Sequence, residues 1–291
     1  MTSPSSQTEE LDDEYIRLIS VHGREYQQYS IDNKISFEPV DEDEAERLDL
    51  QHQIFSKVFD NRLIFPPIPR LRRVLDCGYG TGSWAIDVAE QNPDCEVIGI
   101  DIYPFMNPDD TPENLWLQVD DLNRPFTFPS NHFDLVHSRL LAAGINRSRW
   151  PSVLKPGGWV QLVEIYFNVQ SDNGSISENH ALRQWSSQIM RSMEDIKDLR
   201  VGTRLKTLLM AEGFTEADAK MIPLPLSAWP DNPTSRDIGA MNGENITKLL
   251  TSLSLYPLTR RLHMSQSQYE DLICRAQREV SDLSLKAYFP L

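Results

Sequence analysis

Three glycines and a set of carboxylates stand where apolar runs of this chain stop. The stretch "VLDCGYGTGSWAIDVAEQNPDCEVIGIDI" runs from Val74 to Ile102 and carries Asp76, Gly78, Gly80, Gly82 and Asp101. Glycines at such a place let the backbone turn sharply and let a ligand lie against main chain with no Cβ between them. A helix beginning near Ser83 would add oriented N–H groups. A dinucleotide fingerprint has the spacing G-x-G-x-x-G and aims its helix at a pyrophosphate. Here the spacing is G-x-G-x-G, with Asp76 just ahead of the loop. That carboxylate would repel a pyrophosphate but attract a cationic amino-acid headgroup, directly or through water. The pattern favours S-adenosyl-L-methionine over a nicotinamide cofactor.

Asp101 follows Gly82 by nineteen residues. A carboxylate there can accept from two ribose hydroxyls, although nicotinamide proteins use the same device. In "QVDDLNRPF", Asp120 and Asp121 end another apolar run where an adenine edge would arrive. Asp121 could accept from the exocyclic amine, with the amide of Leu122 facing a ring nitrogen. The alternative for paired acids after a strand is a cap or a turn.

Methyl transfer from such a cofactor is an in-line displacement at a sulfonium carbon, with the nucleophile supplied by the acceptor. Alignment and desolvation do much of the work. A hydroxyl, thiol or carboxylic-acid acceptor gains from a base, and His137 and Glu164 stand at strand ends as candidates. The alternative for His137 is a hydrogen bond to a neighbouring loop that positions the cofactor. Tyr26, Tyr29, Trp185 and Trp229 could form an aromatic lid over a flat acceptor, or simply core.

These groups need strands to carry them. "RVLDCG", "CEVIGID", "LWLQVDD", "FDLVHSR" and "WVQLVEIYF" read as five strands, with "GSWAIDVAEQNP" a helix between the first two. Strands alternating with helical segments imply parallel βαβ units with helices on both faces. The predicted class is α/β, a Rossmann-like doubly wound sheet. Residues 1–12 read as a disordered acidic tail, and 13–65 as a helical segment or lid. The main domain is expected over 66–291, with a helical insertion at about 176–212 and C-terminal helices at about 234–285. From Leu11 to Phe59 the pattern is mostly helical, with Leu48, Ile54, Phe55, Val58 and Phe59 on one apolar face. "AKMIPLPLSAW" reads as a sixth strand made awkward by Pro223 and Pro225. Ser267 and Glu270 suggest a capping box for the last helix.

The chain has 291 residues and a formal net charge of -15, with no basic stripe, which argues against nucleic acid as a partner. No apolar run approaches a membrane span, and the first residues lack the regions of a signal peptide. A cytoplasmic protein is expected, or a nuclear one if it is a regulator. Much of the acidity lies before residue 50, in a solvated arm that could also dock a basic protein partner. Cys77, Cys95 and Cys274 lack metal spacing, so free thiols and no metal site are expected.

The order "LDCGYGTGSWAIDVAEQNP", "VDDLNRPFTFPSNHFDLVHSR" and "LKPGGWVQLVE" resembles the class I S-adenosylmethionine-dependent methyltransferases. More narrowly, "DEDEAERLDLQHQIF", "GFTEADAKMIPLPLSAWPDNP" and "LYPLTRRLHMSQSQYEDLICRAQREVSDLSLKAYFP" resemble the LaeA-like proteins of secondary metabolism. The resemblance implies that Asp76, Gly78, Gly80 and Gly82 line the methionine end, that Asp101 takes the ribose and Asp121 the adenine. It also implies that Trp84 and Ile102 pack near the cofactor, and that His137 and Arg139 lie by the sulfonium end. Two departures stand out. "LLAAGINRSRWPSVLKPGG" leaves room for only a turn or two of crossover helix, which should expose or rearrange one face of the sheet. The chain also stops at Leu291 without a further strand after "AYFP", so the sixth strand should lack its usual neighbour. The leading reading is a methyltransferase acting on a small-molecule acceptor. Others are a cofactor-binding regulator working through protein partners, a non-methylating protein of the same fold, and a nicotinamide enzyme.

Overall fold

The computed structural model describes residues 12–105, 111–141 and 150–291. The tail expected at 1–12 lies almost wholly outside the described residues, as does most of the crossover, 142–149.

The chain opens with a hairpin of β1 (Leu18–Val21) and β2 (Arg24–Gln27), then α1 (Gln28–Asp32) and α2 (Glu42–Val58). The hairpin corrects the helical reading of this segment. His22 and Gly23 both have positive φ, 51° and 82°, the backbone of a primed two-residue turn that matches strand twist. "ISV-HG-REY" carried that signal. α2 starts at the N-cap Asp41, whose side chain accepts from the Glu44 N–H at 3.1 Å and pairs with Arg24 at 2.7 Å.

The central sheet holds β3 (Arg73–Cys77), β4 (Glu96–Asp101), β5 (Leu115–Val119), β6 (Phe133–Arg139) and β7 (Leu154–Val163). Between them run α3 (Ser83–Gln91) and the single turn α4 (Trp150–Val153). All five strands are parallel in the order β5-β4-β3-β6-β7, so the order reverses beside β3 and opens a crevice at the strands' carboxyl ends. The central strands β3, β4 and β6 are largely apolar because both of their faces are covered. Val74, Val97 and Leu135 pack against Trp84, Ala85 and Val88 of α3. Leu75, Ile98, Ile100 and Val136 face Trp150 and Val153 on the other side. On that face Trp150 is buried, and Phe126, Phe128, Leu209 and Phe214 belong to the apolar cluster around it.

The remainder comprises β8 (Gln170–Ser171), α5 (Ala181–Met193), α6 (Leu205–Ala211), β9 (Pro223–Pro225), α7 (Pro233–Tyr256), α8 (Gln266–Val280) and β10 (Ala287–Pro290). Here the last-strand expectation is corrected. "AYFP" is itself an antiparallel strand, and the expected sixth strand is β9, in a separate sheet ordered β8-β10-β9. The ladder bonds come from Ile222 and Leu226, which donate to Leu291 and Ala287 at 2.7 and 3.0 Å. Pro223 and Pro225 therefore fall at positions that owe the ladder no N–H. The Tyr166 N–H donates to Pro290 O at 2.8 Å and ties this sheet to the end of β7. The capping box also moves. Ser265 and Gln268 form it, two residues before the expected pair, because "SQSQYE" contains the motif twice and the earlier choice lengthens the helix.

Candidate functional site

The glycine loop leaves β3 with Gly78 at φ +76° and Gly80 at φ +57°, a region L side chains rarely adopt. The Gly80 N–H donates to Asp101 Oδ2 at 2.8 Å, and Tyr103 N–H to Oδ1 at 3.2 Å. Asp101 is thus locked across the loop from the end of β4. Burial lifts its carboxyl to about 6, opposed by backbone donors at Gly80, Tyr103 and Ile102. A carboxylate offers about four acceptor sites, so Asp101 can still accept from ribose hydroxyls beside these donors. Over Gly78 lies Leu141, whose Cδ2 would sit 2.8 Å from any added Cβ. Glu164 holds Leu141 in place, accepting from its N–H at 2.9 Å. Glu164 is therefore a buried backbone anchor, bound to the wall of the loop.

Asp76 and His137 are register partners on β3 and β6, and His137 Nδ1 lies 2.8 Å from Asp76 Oδ1. Burial lowers the imidazole below its ordinary range, partly opposed by Asp76. A carboxylate only accepts, so neutral His137 carries its proton on Nδ1 and donates it to Asp76. Trp84 stacks on the imidazole, with ring centroids 3.6 Å apart at 13°, and its Nε1–H donates to Leu63 O. Trp84 packs in the core between α3 and the sheet. His137 is 2% exposed and positions Asp76, rather than standing open to an acceptor.

α2 lies across the loop. Leu48 Cδ1 is the nearest atom to a Cβ placed on Gly80, and Asp49 Oδ1 accepts from Thr81 Oγ1 at 2.6 Å and Ser83 Oγ at 2.7 Å. Further along, His52 Nε2 is 2.8 Å from Asp87 Oδ2, and Arg139 Nη1 is 3.2 Å from His52 Nδ1. A narrow cavity of about 20 Å³ borders His52, Phe55, Trp84, His137, Arg139 and Gln161. Sequence reading placed Leu48 on an apolar face but missed Asp49, His52 and Gln51. Polar residues beside that face were the only local sign of a second surface.

At the other end of the crevice, Asp121 is buried and accepts from the Asn123 N–H at 2.8 Å, the turn that was the alternative reading. Its other oxygen lies 3.9 Å from Arg124 Nε. Leu122 is buried in the sheet core. The hairpin segment reaches here: Gln27 Nε2 donates to Ile102 O at 2.8 Å, and Arg124 donates to Tyr29 OH at 2.7 Å. The proposed aromatic lid does not assemble. Tyr29 lies against Tyr15, Tyr26 against Tyr256, Trp185 is fully buried and bonds Leu250 O, and Trp229 bonds Ala287 O. The four are separated because each packs on a different element.

The residues present thus fit an adenosyl-amino-acid cofactor: a loop of positive-φ glycines, the Asp101 carboxylate at the end of β4 and a buried Asp76. Residues 50–216 match a family described as a methyltransferase domain. The secondary metabolism regulator LAE1 of Cochliobolus heterostrophus is 30% identical over 86% of this chain and 85% of its own length. The protein-methionine methyltransferase laeA of Emericella nidulans is 30% identical over 87% of this chain and 69% of its own. Among solved structures, Haemonchus contortus phosphoethanolamine N-methyltransferase 2 in complex with S-adenosyl-L-methionine is 20% identical. It covers 82% of this chain and 51% of that one, with a TM-score of 0.44. The chain belongs to the class I S-adenosylmethionine-dependent methyltransferases, within their LaeA-like group.

Proposed function

We propose that this methyltransferase regulates secondary metabolism by methylating a protein-borne thioether, and that a small-molecule acceptor is not its principal substrate. The supporting observation is that both candidate bases are already committed. His137 is buried under Trp84 and gives its proton to Asp76, and the Glu164 carboxylate holds the Leu141 N–H. When bound, S-adenosyl-L-methionine supplies a methyl group on a sulfonium. A thioether accepts that methyl with a sulfur lone pair as the old carbon–sulfur bond breaks. The positive charge passes from one sulfur to the other and no proton is released. The chain's own residues then have to bind, orient and exclude water, which suits a site whose two candidate bases are both engaged. Gly78, Gly80, Gly82 and Asp76 would hold the methionine end, Asp101 the ribose, and Asp121 with the Leu122 amide the adenine. The relatives named as regulators, and the one named for protein methionine, support the same reading.

The test is incubation of the purified chain with methyl-labelled S-adenosylmethionine and a protein extract, followed by mass spectrometry. Label should appear on methionine sulfur, in the extract or in the chain itself. Transfer confined to small metabolites would overturn the reading in favour of a metabolite acceptor.

A further inference from the structure

Arg139 is a partly buried charge at the end of β6, with Asp76 the main compensating charge it feels. Among the described residues no carboxylate lies within ion-pair distance of it; its Nη1 meets His52 Nδ1, and its guanidinium lies 5.3 Å from the Phe55 ring. Because Nδ1 must accept from the guanidinium, neutral His52 carries its proton on Nε2 and donates it to Asp87. Asp87 is thus joined to Arg139 by hydrogen bonds only by way of the neutral ring. Arg47, by contrast, is bound to Glu44 at 2.5 Å and to Asn245 at 3.2 Å. Burial pushes the Arg139 guanidinium down, with Arg47 adding repulsion and Asp76 and Asp87 only partly offsetting it. A partly buried cation with no ion pair of its own gains when something anionic joins it.

A second observation points the same way. Gln51 is 2% exposed, and its Nε2 has no hydrogen-bond partner among the described residues. It sits one helical turn beyond Leu48, which covers Gly80, and next to His52, which holds Arg139. Arg139 is two residues past His137 on β6, on the same face, and His137 is the register partner of Asp76. A negative and a positive side chain therefore flank the loop at neighbouring strand ends. That is the complement of a zwitterion, with an ammonium toward Asp76 and a carboxylate toward Arg139.

We propose that Arg139, assisted by the Gln51 amide, anchors the carboxylate on the amino-acid end of S-adenosyl-L-methionine. The inference rests on the cofactor reading above and adds the group that would distinguish the intact cofactor from its decarboxylated form.

Calorimetry with two ligands tests it: S-adenosylhomocysteine and its decarboxylated analogue. The wild-type chain should bind the first about 10- to 100-fold more tightly, the range for charge-assisted hydrogen bonds. Arg139→Met should erase that preference by weakening S-adenosylhomocysteine alone, while Arg139→Lys keeps part of it. Gln51→Leu should reduce the preference by a smaller factor. Equal affinity of the wild-type chain for both ligands overturns the proposal without any variant, and assigns the cation to an acceptor's carboxylate. So does an equal weakening of both ligands in Arg139→Met, which marks a packing role. If Arg139→Met does not fold, Arg139→Lys and Gln51→Leu decide, an unchanged preference in both counting against the proposal. Failure of the wild-type chain to bind either ligand sinks the cofactor reading itself, a result distinct from binding both equally.

Discussion

The five-stranded parallel sheet supplies Asp76, Asp101, His137 and Arg139 to the crevice, whereas the three-stranded antiparallel sheet supplies none of them. The antiparallel sheet instead backs an apolar cluster that joins Leu224, Phe289, Trp185, Leu250 and Ile273 from five different elements. The first sheet is rich in polar groups held by neighbouring backbone, as Asp101 is by Gly80 and Tyr103. The second region is held by long-range apolar burial with few charges inside. Ligand chemistry and fold stability are thus concentrated in different parts of one chain, which teaches that each can be altered with the other left in place.

The largest separation should come from Phe289→Ala. The ring is fully buried on β10, so urea unfolding should show a loss of about 3–5 kcal/mol. The affinity of the folded variant for S-adenosylhomocysteine should stay within about twofold, within the near-independence expected of distant sites. An affinity that collapses together with stability would erase the distinction between the two regions. Next comes Asp101→Ala, which should do the reverse. Affinity should fall by about 100-fold, as two hydrogen bonds to a charged group are lost. Stability should change by less than about 1 kcal/mol, since relief of a buried charge offsets the lost backbone bonds.

The smallest effect sharpens the same site. With the Asp101 carboxyl at about 6, S-adenosylhomocysteine affinity should drop about tenfold from pH 7 to pH 5, because only the ionised form accepts from both hydroxyls. Asp101→Asn should abolish that slope. Stability has the opposite sign. The folded chain holds this proton more tightly than the unfolded one, whose carboxyl has its ordinary value of 3.8. The contribution is therefore present at low pH and lost as pH rises through about 6. The stability of Asp101→Asn relative to wild type should increase across that window, and a flat difference would make Asp101 an ordinary carboxylate.

The same contrast explains what could be read in advance. The glycine loop, Asp101 and the five strand segments along the chain are local: each is written within a few residues, so the sequence shows it. The His22–Gly23 hairpin was also local, but the helical look of its surroundings outweighed a two-residue signal. β10 was not legible because a four-residue strand has no meaning until β9 is placed beside it, and the prolines of β9 argued against any pairing. Nor was the commitment of His137. Its partner is adjacent only through β3–β6 register, and the ring that covers it comes from α3. Asp49 shows the limit plainly, since its two hydroxyl donors lie 32 and 34 positions away.

α2 carries a consequence for the order in which this chain becomes functional. It precedes every strand of the parallel sheet, yet Arg47 bonds Asn245 and Glu46 pairs with Lys248, separations of 198 and 202 residues. Closing contacts that far apart is slow compared with forming a hairpin or a βα unit. On a nascent chain α2 can meet the loop through Asp49, Thr81 and Ser83, while the contacts of Arg47 and Glu46 still wait for α7. The roof of the binding site is thus laid early and fixed only when α7 has been made.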